Sequence, residues 1–311
     1  MSKFYEIQPL DTLFFRGSTP MEAGLMNAVS MFPPSESVIK GAFWTSYCKE
    51  NCKNFSEGLI DEKIPFDVEG LYLKKNEKYY IPCPTTWYYD SEKTVSLGKE
   101  LKGKKLVVAK DCSEIMNTLG MSSSAGKIVF VKPEVDAQSL LGAWVCVDYF
   151  KNPNSVFSSD AILFSKEIFS FESRTGVALD ENRKAKEGQL YSSSHVRLNE
   201  EVSFVIQFSD NIDISDKGII SLGGEKRISN YERIDGFSLE FIKDGEQYLS
   251  LMPIEATKEN LESVISSGKL IVTSGWDLAK GFHKPTTNWI PAGAVFNKKI
   301  NNSCVAITQT K

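Results

Sequence analysis

Arginine is the scarcer basic residue in this chain and the more unevenly placed. Lysine and arginine total 36, yet arginine occurs only as Arg16, Arg174, Arg183, Arg197, Arg227 and Arg233. All but Arg16 fall between residues 174 and 233, whereas lysine is spread along the whole length. A guanidinium presents a planar fork of donors that matches phosphate or carboxylate, so clustered arginine points to anion recognition more than to solubility.

Four segments combine such bases with glycine and aromatic residues. In PLDTLFFRG, Phe14 and Phe15 precede Arg16 and Gly17, which places an arginine at a loop able to meet a phosphate; core phenylalanines followed by a turn is the plainer alternative. In ESRTGVALDENRKAKEGQLYSSSHVRL, Arg174 and Gly176 lead out to a charged tip of Arg183, Lys184 and Lys186, and Tyr191 and Arg197 lead back. Long excursions of this kind are often functional, and the basic tip is suited to a phosphate backbone unless it is only a solvated hairpin. In SLGGEKR, Gly223 and Gly224 permit positive φ and close approach by a ligand or another chain, with Glu225 and Arg227 beside them. In GWDLAKGFHKPTTNWIPAGAVF, Lys280, Lys284 and Gly293 lie near Trp276 and Trp289, whose rings offer either stacking faces for bases or core packing.

Catalytic readings have less support. The only histidines are His195 and His283, which excludes a multi-histidine metal centre, and the six cysteines are scattered without a completed zinc pattern. Buried free thiols in a reducing compartment is the expected state, with no metal and no cofactor. The GGE of Gly223–Glu225 has the look of a cyclase or polymerase palm turn, but those sites need paired carboxylates on two strands, and no second acidic strand is found at suitable spacing. A metal-independent ribonuclease using His195 with Tyr191 or a lysine remains as an alternative.

The elements that must position these residues follow from periodicity. KFYEIQPLDTLFF suits a buried strand, and MFPPSESVIKGAFWTSYCKE a helix with Ser35 or Ser37 as cap and Val38, Ile39, Ala42, Phe43, Ser46 and Tyr47 on one face. GLYLKKNEKYYIPCP predicts a hairpin turning near Asn76. DAQSLLGAWVCVDYF predicts a helix capped at Asp136, EVSFVIQF a strand, and TKENLESVISSG a helix from Thr257 that stops at Gly268. This order suits an α+β fold with antiparallel sheets, read economically as two ferredoxin-like (RRM-like) domains. They are expected at 1–150, with an irregular insertion at about 51–133, and at 151–311, with a β-hairpin thumb at about 172–198. The sheets of such domains leave one face available for RNA. Net charge is −4, which argues against a free-standing nonspecific nucleic-acid binder but leaves room for a local basic groove. No signal peptide or membrane-spanning run is seen, so the expected compartment is the cytoplasm.

Taken in order, PLDTLFFRG, MFPPSESVIKGAF, the RTG…HVRL excursion, SLGGEKR and the C-terminal glycine-rich block resemble the third Cmr subunit family of type III-B CRISPR effector complexes, within the RAMP superfamily. Each block alone is weak, and the ordered set is specific; residues 51–133 add little. The resemblance implies a subunit that caps the 5′ repeat-derived tag of the CRISPR RNA, sits against the large polymerase-like subunit and the first backbone subunit, meets target RNA indirectly, and is not itself the nuclease or the cyclase. Carried over by position, it assigns roles to Arg16 and Gly17, to Lys40 and Gly41 at the helix start, and to Arg174, Gly176, Gly188, Leu190 and Tyr191 in the thumb. It likewise marks Gly223, Gly224 and Glu225, then Trp276, Lys284, Pro285, Pro291, Ala292 and Gly293. PAGAVF departs from the family pattern, which more often has Ser and then Tyr at its end. A repeat-processing endoribonuclease and a purely structural interaction module are the competing functions.

Overall fold

The computed structural model describes residues 2–15, 17, 28–51, 64–91, 101–131, 136–210, 212–235, 240–242, 244–274, 276–277, 282–283 and 285–307. Arg16, Lys280 and Lys284 lie outside the described residues, and for Trp276 only the backbone is described. The fold is α+β, with few helices and mostly antiparallel sheets. Two compact units are interleaved along the sequence. One takes Met1–Glu69, Ile168–Gly236 and Val272–Thr287; the other takes Gly70–Glu167, Phe237–Ile271 and Asn288–Lys311. Each unit therefore draws on both halves of the chain.

In the first unit the N-terminal strand, Lys3–Pro9, runs antiparallel to Val202–Phe208 on one side and to Ile228–Arg233 on the other, and Lys217–Ser221 continues outward from the last. Alternation dictates the faces: Tyr5 and Ile7 are fully buried, and Glu6 and Gln8 point the other way. The buried face packs on the helix Glu36–Glu50, whose Ile39, Ala42, Phe43 and Ser46 form the expected stripe. Phe43 and Phe208 pack with ring centroids 4.7 Å apart, and Tyr5 and Tyr231 meet edge to face at 5.9 Å. Ser35 occupies the N-cap position, but its hydroxyl pairs with that of Ser37 and caps no helix N–H. The opposite face of this sheet, expected to be free for RNA, presents Glu6, Gln8, Asn230, Glu232 and Lys217 around a cavity of about 590 Å³. Glu6 and Glu232 are cross-strand partners there, with Lys217 opposite Glu232 on the other side and Arg233 also in the lining.

The long hairpin rises from this unit. Phe169–Leu179 and Ala185–Leu198 pair antiparallel from Phe169↔Leu198 to Val177↔Leu190, with a register shift before Leu179↔Ala185. Ala28–Val29 adds a short parallel strand at Ser193–Ser194. The tip is built on Asp180, whose Oδ1 accepts from the N–H of Asn182 at 2.9 Å and of Lys184 at 2.8 Å, while Arg183 takes φ +59°.

In the second unit the hairpin expected near Asn76 is present as Val68–Lys75 and Lys78–Pro82, with Asn76 and Glu77 both at positive φ, as a tight hairpin turn requires. DAQSLLGAWVCVDYF is not one helix. It forms strand Ala137–Ser139, strand Trp144–Cys146 and only a five-residue helix, Val147–Lys151. Gly142 at φ +79° interrupts the run, and Trp144, Val145 and Cys146 are all buried between Lys78–Pro82 and Ile162–Leu163. The helix from Thr257 also ends early, at Glu262, and Val264–Ser266 pairs instead with Val295–Phe296. Thr257 does cap it, accepting from the Asn260 N–H at 3.2 Å.

Candidate nucleic-acid interface

The base of the long hairpin gathers three of the arginines. Cross-strand register puts Glu172, Arg174, Ser193, His195 and Arg197 on one face. The loop after the N-terminal strand brings Asp11 and Thr12 beside them, held by a reciprocal pair of backbone hydrogen bonds between Leu13 and Val196, 2.7 and 2.8 Å. The Gly-Gly turn brings Glu225 and Arg227. Residues far apart in sequence thus share one patch within the first unit.

Every guanidinium there has acidic neighbours. Arg227 donates to Asp11 Oδ2 at 2.9 Å and to Glu225 Oε2 at 2.6 Å. Arg197 donates twice to Glu172 Oε2, at 2.9 and 2.5 Å, and reaches Asp11 Oδ1 at 3.4 Å. Arg174 donates to Thr12 Oγ1 at 2.8 Å, to Glu172 Oε1 at 3.1 Å and to Asp11 Oδ2 at 3.4 Å. The Thr12 N–H, then Arg174 and Arg227, hold the Asp11 carboxyl below its usual pKa, and hydrogen bonding from Arg197 does the same for Glu172. The expected free arginines are therefore a neutralised network of three cations and three anions. Asp11, Thr12 and Glu172 had no role in the sequence reading; the signal available was an acidic residue inside a block otherwise chosen for its base.

Under this network His195 is fully buried, its ring stacked on Phe14 at 5.0 Å, with Nε2 3.0 Å from Ser193 Oγ and Nδ1 buried without a hydrogen-bond partner. Burial lowers its pKa, with Arg174 and Arg227 acting in the same direction and Glu225 against. Such a group is poorly placed to exchange protons with an RNA ribose.

The glycines do their work inside the chain. A Cβ at Gly223, φ +82°, would lie 2.6 Å from the Phe14 carbonyl oxygen, to which the Gly224 N–H donates at 2.7 Å. Gly293, φ +89°, packs against the Cys83 carbonyl in the same way, within the second unit. Gly176 lies under the Tyr191 ring, its cross-strand partner, where a Cβ would approach within 2.3 Å. Lys40 is paired with Glu36 at 2.7 Å and Asp67 at 2.9 Å, and Gly41 faces open space. Gly17 meets the Met31 side chain. Arg183 and Lys184 stand exposed at the hairpin tip, away from the arginine patch at its base.

Chains of similar fold have been solved. A chain from the cryo-EM structure of the Type III-B Cmr-beta bound to cognate target RNA and AMPPnP superposes with a TM-score of 0.54 and 21% identity, over 94% of this chain and 85% of that one. A chain from the Type III-B Cmr-beta bound to cognate target RNA gives 0.55 and 20%, over 95% and 86%. No curated protein matches the sequence. The model of the family described as CRISPR-associated protein (Cas_Cmr3) matches residues 5–249, and the chain belongs to that family.

Proposed function

We propose that this chain is a noncatalytic RNA-binding subunit of a type III-B CRISPR effector complex, capping the 5′ tag of the CRISPR RNA and docking the large polymerase-like subunit and the backbone. The observation that carries the reading is the convergence of Arg174, Arg197 and Arg227 on one patch at the base of a long hairpin, with Arg197 the most exposed of the three. Clustered guanidiniums suit a backbone phosphate. Family membership and the shared fold with chains of Cmr-β complexes set that chemistry in a ribonucleoprotein. Burial of His195 supports the noncatalytic reading over repeat cleavage. The finer fold reading, two ferredoxin-like units with a thumb, belongs to the same proposal; the N-terminal strand, central and antiparallel to both neighbours, supports that plan for the first unit. The cytoplasm is the proposed compartment; no helix among the described residues is long and apolar enough to cross a membrane.

In the assembled complex, Arg174→Ala combined with Arg197→Ala is expected to expose the tag to nuclease. Parent-level protection of the tag by the double variant would refute the proposal.

A protein-docking role for the outer hairpin has its own support. Val177 and Leu190 are cross-strand partners, and Leu190 is 57% exposed, with Leu179 at 53%. An apolar surface on a projecting hairpin fits a neighbouring subunit better than RNA.

A further inference from the structure

Asp11 is shared by three guanidiniums, and two of them meet it at the outer limit of hydrogen bonding. Arg227 is at 2.9 Å, but Arg174 and Arg197 are each at 3.4 Å. Its two oxygens cannot saturate the donors that three forks present. The Nε of Arg227 is buried with no acceptor at all. The other two acids behave differently. Glu172 grips Arg174 and Arg197 from the side and Glu225 grips Arg227, so these carboxylates orient the forks, with the Thr12 hydroxyl doing the same for Arg174. Without Asp11, three guanidiniums against Glu172 and Glu225 leave one net positive charge, which calls for a singly charged group with several acceptor oxygens. A phosphodiester has that charge and shape.

We propose that Asp11 is an internal stand-in for an RNA backbone phosphate. It fills the anion seat of Arg174, Arg197 and Arg227 in the free chain, and the ligand phosphate takes the seat by displacing it. Its position allows this. Asp11 is 45% exposed and follows Leu10, itself 60% exposed, while Leu13 behind it is pinned to Val196. The carboxylate can swing outward without unpairing the strand or the hairpin. The free chain then binds RNA weakly because it must first expel its own anion. The inference rests on the RNA-binding reading above, and its test separates the two.

The full chain and its Asp11→Asn variant, which keeps the size and loses the charge, are titrated with a short single-stranded RNA and, separately, with inorganic pyrophosphate. Asp11→Asn is expected to bind both about tenfold more tightly than the parent, and the gain is expected to vanish when Arg197→Ala is added. A variant that retains the parent's melting temperature and binds no more tightly overturns the stand-in. Amide exchange in the unmodified chain gives a readout that needs no variant. Pyrophosphate is expected to speed exchange at Thr12, the residue next to Asp11, and unchanged exchange at saturating ligand overturns the proposal. A gain for pyrophosphate with no RNA binding by either chain keeps the seat and removes the RNA reading. RNA binding by the parent with no gain in Asp11→Asn does the reverse.

Discussion

Gly223 and His195 both sit against Phe14, one at the edge of the Gly-Gly turn and one beneath the ring. The glycine is required because its φ is +82° and the Phe14 carbonyl leaves no room for a Cβ. Gly223→Ala is expected to lower unfolding free energy by about 1–3 kcal/mol, read by urea denaturation. For His195 the sign follows from its lowered pKa. The unfolded chain takes up the proton first as pH falls, so stability is intact above the ordinary histidine value of 6.5 and is lost as pH drops below it. His195→Gln is expected to flatten the stability profile between about pH 6.5 and 5, where the free imidazole titrates; an unchanged slope would show that other groups carry it. At this scale the sequence disclosed which residues bear charge but not their partners. Arg174 and Asp11 are 163 positions apart, and no local pattern announces a pairing made only when the hairpin and the N-terminal loop meet. The same distance hid the purpose of Gly223 and Gly224, read as approach to a ligand and used for approach to Phe14.

At the scale of elements, strands with clear alternation were legible, and so was the hairpin at Asn76, because turn chemistry and period agree there. The excursion from Arg174 to Leu198 was recognised, though its pairing begins earlier, at Phe169. Short apolar runs were not legible. AWVCV reads equally as a helix face or a doubly covered strand, and only burial on both sides decides. The hairpin tip gives an expectation of its own. Asp180 alone accepts the N–H groups of Asn182 and Lys184 through its side chain, so Asp180→Ala is expected to fray the turn. Faster amide exchange across residues 182–186, with the base of the hairpin unchanged, is the signature to look for.

For the whole molecule, the net charge of −4 limits what the free chain does with RNA. If the three arginines together seat one phosphate, log K should fall against log salt with a slope of about −0.7 for a single strand. A slope near zero between low and physiological salt would mean that RNA, if bound, is held without these charges. The interleaving of the two units also bears on dissection of the chain. Residues 1–150 contain the N-terminal strand and the helix but neither Val202–Phe208 nor Ile228–Arg233, both of which flank that strand. This fragment is expected to show no cooperative unfolding in a thermal melt; a sharp transition would contradict the division described above.

That same strand pairing has a consequence for synthesis on the ribosome. Lys3–Pro9 emerges long before its nearest sheet neighbour in the sequence, which begins only at Val202. At ordinary elongation rates it waits roughly 10 to 40 s for a partner. Throughout that interval Tyr5 and Ile7, fully buried in the finished protein, remain available to any other nascent chain or chaperone that reaches them first. The yield of this protein is thus exposed to translation speed over the codons between those two strands.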